Sequence, residues 1–149
     1  MKKRLFSAIL VLMLLLSMAV SVSAATDAFV YDEAGLLTEG ERTDLANRLA
    51  QLSDTYNAQI VVVTMASAQG SDVDLILEYL YDTAGFGYGE DLDGVLLLVC
   101  MDPREYRILS NGYCGTAINT GAIDDIGNAI VSDLSGGDYA EAFGGFADK

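Results

Sequence analysis

Ten residues from Gly85 to Gly94, GFGYGEDLDG, hold four glycines and three carboxylates, those of Glu90, Asp91 and Asp93. Acidic loops of this kind suit hard divalent cations such as calcium or magnesium, which take oxygen ligands. The spacing is not that of an EF-hand, because DLDG reaches glycine after two acids and lacks a glutamate at the distal offset. Nor is it that of an aspartyl-phosphate enzyme, in which the Asp-x-Asp pair follows a buried strand; here the pair precedes one. The competing reading needs no ligand: the glycines close a solvated loop that leads into the apolar run GVLLLVC. Asp32, which ends the short run FVYD, is either a remote ligand or a turn aspartate that bonds its own backbone. Asp124 and Asp125 fall in the first turn of a helical segment, where the macrodipole favours acids without any ligand.

The chain has no histidine. A histidine nucleophile, an imidazole general acid and a Ser-His-Asp triad are therefore excluded. Phosphate hydrolysis would have to run through a metal, with Asp91 or Asp93 holding a cation that polarises the phosphate and activates water. Without that cation the surrounding negative charge repels a phosphoanion. No catalytic residue is identified.

These residues are positioned by alternating strands and helices. FVYD reads as a short strand, and Thr38 with Glu41 forms a capping box that opens a helix carrying Leu45, Leu49, Leu52 and Tyr56 on one stripe. QIVVVTMA is a buried-type strand. Ser71 then caps a second helix carrying Val73, Ile76, Leu77 and Leu80. Strand, helix and strand in sequence imply a right-handed parallel crossover. GVLLLVCM turns at DPRE into the antiparallel strand YRILSNGY, Thr120 opens a third helix through Leu134, and DYAEAF starts a fourth. The expected fold is an α/β three-layer sandwich, a mixed sheet with helices on both faces.

With Asp102 to Glu105 as a four-residue turn, Cys100 faces Arg107, Cys114 faces Asp93 and Gly94 faces Tyr113. The acidic loop and the turn Asn111 to Gly115 then share one end of the sheet, with Asp102 and Arg104 at the other. Asp93 and Asp102 stand roughly 30 Å apart and cannot serve one ion. The two sulfurs lie about 20 Å apart, so free thiols are expected even though an export context permits disulfides. Arg107 shares its strand face with Glu105 and Leu109, an arrangement for charge pairing.

The 149 residues allow one domain with a real core. Lys2, Lys3 and Arg4 precede an apolar run that ends in Ser23, Ala24 and Ala25, which reads as a signal peptide over residues 1–24, with one domain over 28–149. An uncleaved anchor is the rival, because Leu5 to Val22 is nearly the ~20 residues a spanning helix needs. Cleavage removes three basic residues and no acid, taking the net charge from −14 to −17. Such a surface repels nucleic acid and attracts cations and basic partners. The chain reaches Lys149 inside or just after a helical pattern, as a piece of a longer protein would.

At this point the sequence resembles the TPM domain family, also called TPM phosphatase, from about Phe29 onward. The resemblance is carried by VYDEAGLLTEGERTDLANRLAQL, QIVVVTM, GFGYGEDLDGVLLLVCMDPREYRILSNGY and IDDIGNAIVSDL. Asp32, Gly35, Leu37 and Thr38 match the first motif; Asp93, Gly94 and the leucines match the second; Arg104, Gly112 and Tyr113 match the third. Cys114 stands where the family tends to have glycine, and Asp91-Leu92-Asp93 replaces an Asp-Asn type pair. The resemblance implies an exported or membrane-tethered α/β/α domain that binds a divalent cation, calcium or magnesium, through Asp91 and Asp93 with Asp32 contributing. It also implies a role as accessory or stabilising module of a membrane or envelope complex, with a metal-dependent acid phosphatase as the alternative. No organic cofactor is expected.

Overall fold

In the computed structural model, residues 28–149 are described. The expected signal peptide lies outside them. Four strands form one sheet in the order β1 (Val30–Asp32), β2 (Gln59–Met65), β3 (Gly94–Cys100), β4 (Glu105–Asn111). The first three run parallel and β4 returns antiparallel. Five helices complete the domain: α1 (Glu39–Tyr56), α2 (Val73–Ala84), α3 (Tyr113–Ala117), α4 (Thr120–Gly136) and α5 (Tyr139–Ala147). Among the described residues no helix is long and apolar enough to cross a membrane.

Strand β3 is buried at every position, as its unbroken apolar run dictates. Alternation sends Val95, Leu97 and Val99 to one face with α1, α4 and α5, and Leu96, Leu98 and Cys100 to the other with α2. The α/β/α sandwich is therefore present. Helix α1 crosses one face and α2 the other, while both connections step the same way across the sheet, so the two crossovers have opposite hands. The right-handed rule holds for only one of them.

Local details depart from the sequence reading in three places. Thr38 caps α1 with the full capping box, but the buried stripe is Leu45, Ala46, Leu49 and Ser53, and Tyr56 is 68% exposed. Ser53 replaces an apolar residue because its hydroxyl accepts from Ile60 N–H at 2.9 Å, tying the helix end to β2. Asp72, not Ser71, caps α2, accepting from Asp74 N–H at 2.9 Å. Tyr113 leaves the end of the expected strand and starts the short helix α3, which runs to Ala117.

The hairpin register also differs. Cys100 pairs with Glu105 and Gly94 with Asn111, so Met101 to Arg104 make the turn and each β4 residue sits two positions from the expected pairing. Arg104 itself takes a left-handed backbone, φ 69°, and completes the reversal one residue earlier. Both cysteines are nevertheless free and buried, Cys100 at one end of β3 and Cys114 in α3 at the other.

Candidate functional site

The loop between α2 and β3 is held by a tight backbone crossing. Gly87 has φ 102°, and a Cβ there would lie 2.4 Å from the Leu92 carbonyl carbon, so only glycine fits. Its N–H donates to Gln59 Oε1 at 2.7 Å. Tyr88 and Asp93 exchange backbone bonds of 2.9 and 2.8 Å, which closes a small loop around Gly89 to Leu92. The Leu92 carbonyl accepts from Tyr81 Oη at 2.7 Å and from Asn111 Nδ2 at 3.0 Å. Asn111 also reaches the Asp91 carbonyl at 3.2 Å. The Leu92 carbonyl thus has both lone pairs taken by protein donors and the Asp91 carbonyl one.

Asp93 points across to the start of α3, where its Oδ1 accepts from Tyr113 N–H at 2.5 Å. Gly112, with φ 63°, passes so near that a Cβ would sit 2.2 Å from the same oxygen. The expected meeting of the acidic loop with the turn Asn111 to Gly115 is therefore present. The charge of Asp93 is felt locally. Burial first, then the negative charges of Cys114 and Asp93, push the Tyr81 hydroxyl up to about 12. Burial and then Asp93 likewise push the Cys114 thiol up. Glu90 and Asp91 are exposed, and among the described residues the Asp91 carboxylate makes no hydrogen bond.

Asp32 is elsewhere. It ends β1 in register with Thr64, which pairs in turn with Val99, six residues along β3 from Asp93. At about 3.3 Å per residue that is about 20 Å, so Asp32 and Asp93 cannot share an ion. Both Asp32 oxygens are occupied: Oδ1 accepts from Leu36 N–H at 3.0 Å and Thr64 Oγ1 at 2.5 Å, and Oδ2 from Leu37 N–H at 2.9 Å. This is the turn-aspartate reading in full. Among the described residues no three Asp, Glu, Cys or His side chains are grouped to hold a metal. The set of Asp32, Asp91 and Asp93 does not fit one cation, and Asp91 with Asp93 alone remains a two-carboxylate candidate.

The other end of the sheet has its own polar cluster. Glu33 accepts from Ala66 N–H at 2.6 Å, and Asp102 accepts from Ser67 Oγ at 3.2 Å and, through its carbonyl, from Ala68 N–H at 2.8 Å. Arg107 binds Glu105 at 2.9 Å, as expected for same-face residues, and also Asp74 on α2 at 2.7 Å. Asp124 is exposed in the first turns of α4.

A family model for the TPM domain matches residues 30–149. The chain belongs to the TPM domain family. It is similar to UPF0603 protein YdjH of Bacillus subtilis (strain 168), 28% identical over 136 residues that cover 91% of this chain and 52% of that protein. The chain thus spans about half the length of that relative. The fold is shared with two solved solution structures. One is the N-terminal domain of a protein from P. gingivalis, with TM-score 0.70, 22% identity and coverage of 85% of this chain and 80% of that one. The other is the N-terminal domain of protein cg2496 from Corynebacterium glutamicum, with TM-score 0.63, 20% identity and coverage of 79% and 74%.

Seen as a TPM domain, the chain uses its motif residues to build the fold. Asp32 ties the β1 turn to Thr64, Gly94 leaves room for the Gln59 carbonyl and the Tyr81 hydroxyl, and Gly112 lies against Asp93. Gln59, Tyr81 and Asn111, which fix the acidic loop, were not singled out as site residues from the sequence. Each lies on a different element, and only the parallel pairing of β2 with β3 brings Gln59 beside Gly94.

Proposed function

We propose that this TPM domain is an exported, non-catalytic accessory module of a membrane or envelope complex, with a divalent cation held weakly by Asp91 and Asp93. The observation that carries this reading is the use of the motif groups. Asp32, Gly94, Gly112 and one oxygen of Asp93 all serve internal hydrogen bonds or close approaches, which is what a rigid binding platform needs. A cation reaching Asp93 and the exposed Asp91 would keep much of its water, since the neighbouring carbonyls are already bonded to Tyr81 and Asn111. Its effect would be to relieve carboxylate repulsion in the loop rather than to drive chemistry.

Turnover of a chromogenic phosphate ester by pure protein, with and without calcium, magnesium or manganese, tests the proposal. We expect no turnover above the protein-free rate with any of them. Metal-dependent turnover that disappears in Asp93→Asn would replace this reading with the phosphatase.

A further inference from the structure

We infer that the outer edge of β4 is a seat for the carboxyl-terminal end of an extended partner peptide, with Arg104 receiving the terminal carboxylate. This rests on the accessory reading in that it locates the surface where a partner docks, and it makes no use of the acidic loop.

Four observations converge on one end of the strand. Among the described residues β4 has β3 on one side and no strand on the other, so its outer edge can pair with an added strand. Beside that edge runs an open groove of about 600 Å³, bounded by Arg104 to Ile108 on the strand and by Ile123, Asp124, Gly127 and Asn128 on α4. Gly127 carries no side chain, and the Tyr106 hydroxyl stands where a Cβ would be, so β4 and α4 meet at these two groove residues. A smaller cavity of about 130 Å³ adjoins the groove at Arg104 and is walled largely by Val99, Val131, Leu134 and Tyr139.

Charge then selects the ligand. Arg48 and Arg107 pair with Asp148, Asp74 and Glu105, whereas Arg104 has no acidic partner among the described residues. Glu105 also lines both cavities but is paired with Arg107, and Asp124 stands on the α4 side of the groove, so Arg104 is the arginine of this groove whose charge is not already matched by an ion pair. It favours a carboxylate next to an apolar side chain. Arg104 also stands at the hairpin turn, where the strand edge begins. A peptide laid along β4 runs out of edge there, so the acid it offers is its own terminus. From Arg104 to Ile108 the edge accommodates about four residues, roughly 13 Å. Arg107 Nη1 donates to the Tyr106 carbonyl at 2.8 Å and so shields one edge group, a bond that an incoming strand replaces.

The test uses an array of randomised heptapeptides ending in Leu, Val or Phe, synthesised once as free acids and once as amides. Free acids are expected to bind, and the matching amides to bind weaker by at least about tenfold. Arg104→Gly should show the same loss and keep its melting temperature, because glycine suits φ 69°. Amide shifts on adding the best free acid should map to 105–108 and 123–128. No binding by any free acid, equal binding of acids and amides, unchanged binding by Arg104→Gly, or shifts confined to 88–94 would each overturn the inference. The phosphate-ester assay is scored separately, so a failed groove and a failed accessory reading are told apart.

Discussion

Asp32 and Asp93 are both motif carboxylates placed next to a parallel strand, and they are held to different degrees. Asp32 ends β1 and accepts three hydrogen bonds shared over both oxygens. Asp93 precedes β3 and accepts one, from Tyr113 N–H, through a single oxygen. The first group has three of its roughly four acceptor sites taken by its own turn and by Thr64, which leaves little with which to hold an ion. The second fastens the acidic loop to α3 and keeps an oxygen for a ligand beside exposed Asp91. Matching the motifs of one family therefore does not make two acids parts of one site. The direction of the strands decides, because the end of one parallel strand and the start of another are opposite ends of the sheet.

The sharpest way to break this comparison is to collapse the Asp93 end alone. Gly87→Ala puts a Cβ 2.4 Å from Leu92 backbone atoms at φ 102°, with no flexible side chain to yield. We expect a loss of more than about 3 kcal/mol in denaturant unfolding. Backbone amides from Tyr88 to Gly94 should lose hydrogen-exchange protection first, while those of Leu36 and Leu37 keep theirs. Asp32→Ala should do the converse. Removing an acceptor of three bonds should cost about 3 kcal/mol and release the β1 turn while the loop stays closed.

Much of this was readable beforehand. The apolar runs of β2 and β3, the capping box at Thr38 and Glu41, and the helical spacing of Val73, Ile76, Leu77 and Leu80 determined the sandwich, since periodicity reports burial directly. The acidic loop and the turn after β4 were also placed together correctly. The β4 register was not, because it depends on Arg104 adopting a left-handed backbone that its residue type does not signal. Ser53 is not legible in the stripe that ends on Tyr56, because a hydroxyl that accepts from a neighbouring strand leaves no mark in a hydrophobic pattern. The grouping of Asp32 with Asp93 is a different kind of error. The parallel pairing of β1, β2 and β3 puts the two at opposite ends of the sheet, a topology that the motif resemblance does not carry.

Alkaline pH gives a smaller contrast. Tyr81 keeps its proton in the folded state up to about 12, while in the unfolded chain it loses it near the ordinary tyrosine value of about 10. The unfolded chain then binds fewer protons than the native one, so stability falls as pH rises through that window. Cys114 begins the same trend at lower pH, because its thiol is also pushed up. Urea midpoints between pH 8 and 11 should therefore decline, with the Asp93 end opening before the Asp32 end. The smallest effect is expected at the capping box. Thr38→Ala should cost about 1 kcal/mol, seen as a lower urea midpoint, and leave the acidic loop unchanged.

The most direct measurement is a calcium titration of the apo protein followed by amide shifts, run on wild type, Asp32→Asn and Asp93→Asn. The account predicts shifts in Tyr88 to Gly94 and Gly112 to Cys114, none in Asp32 to Leu37, an unchanged response in Asp32→Asn and a lost one in Asp93→Asn. Shifts that move Asp32 to Leu37 together with the acidic loop, or a response abolished by Asp32→Asn, would contradict the separation of the two ends.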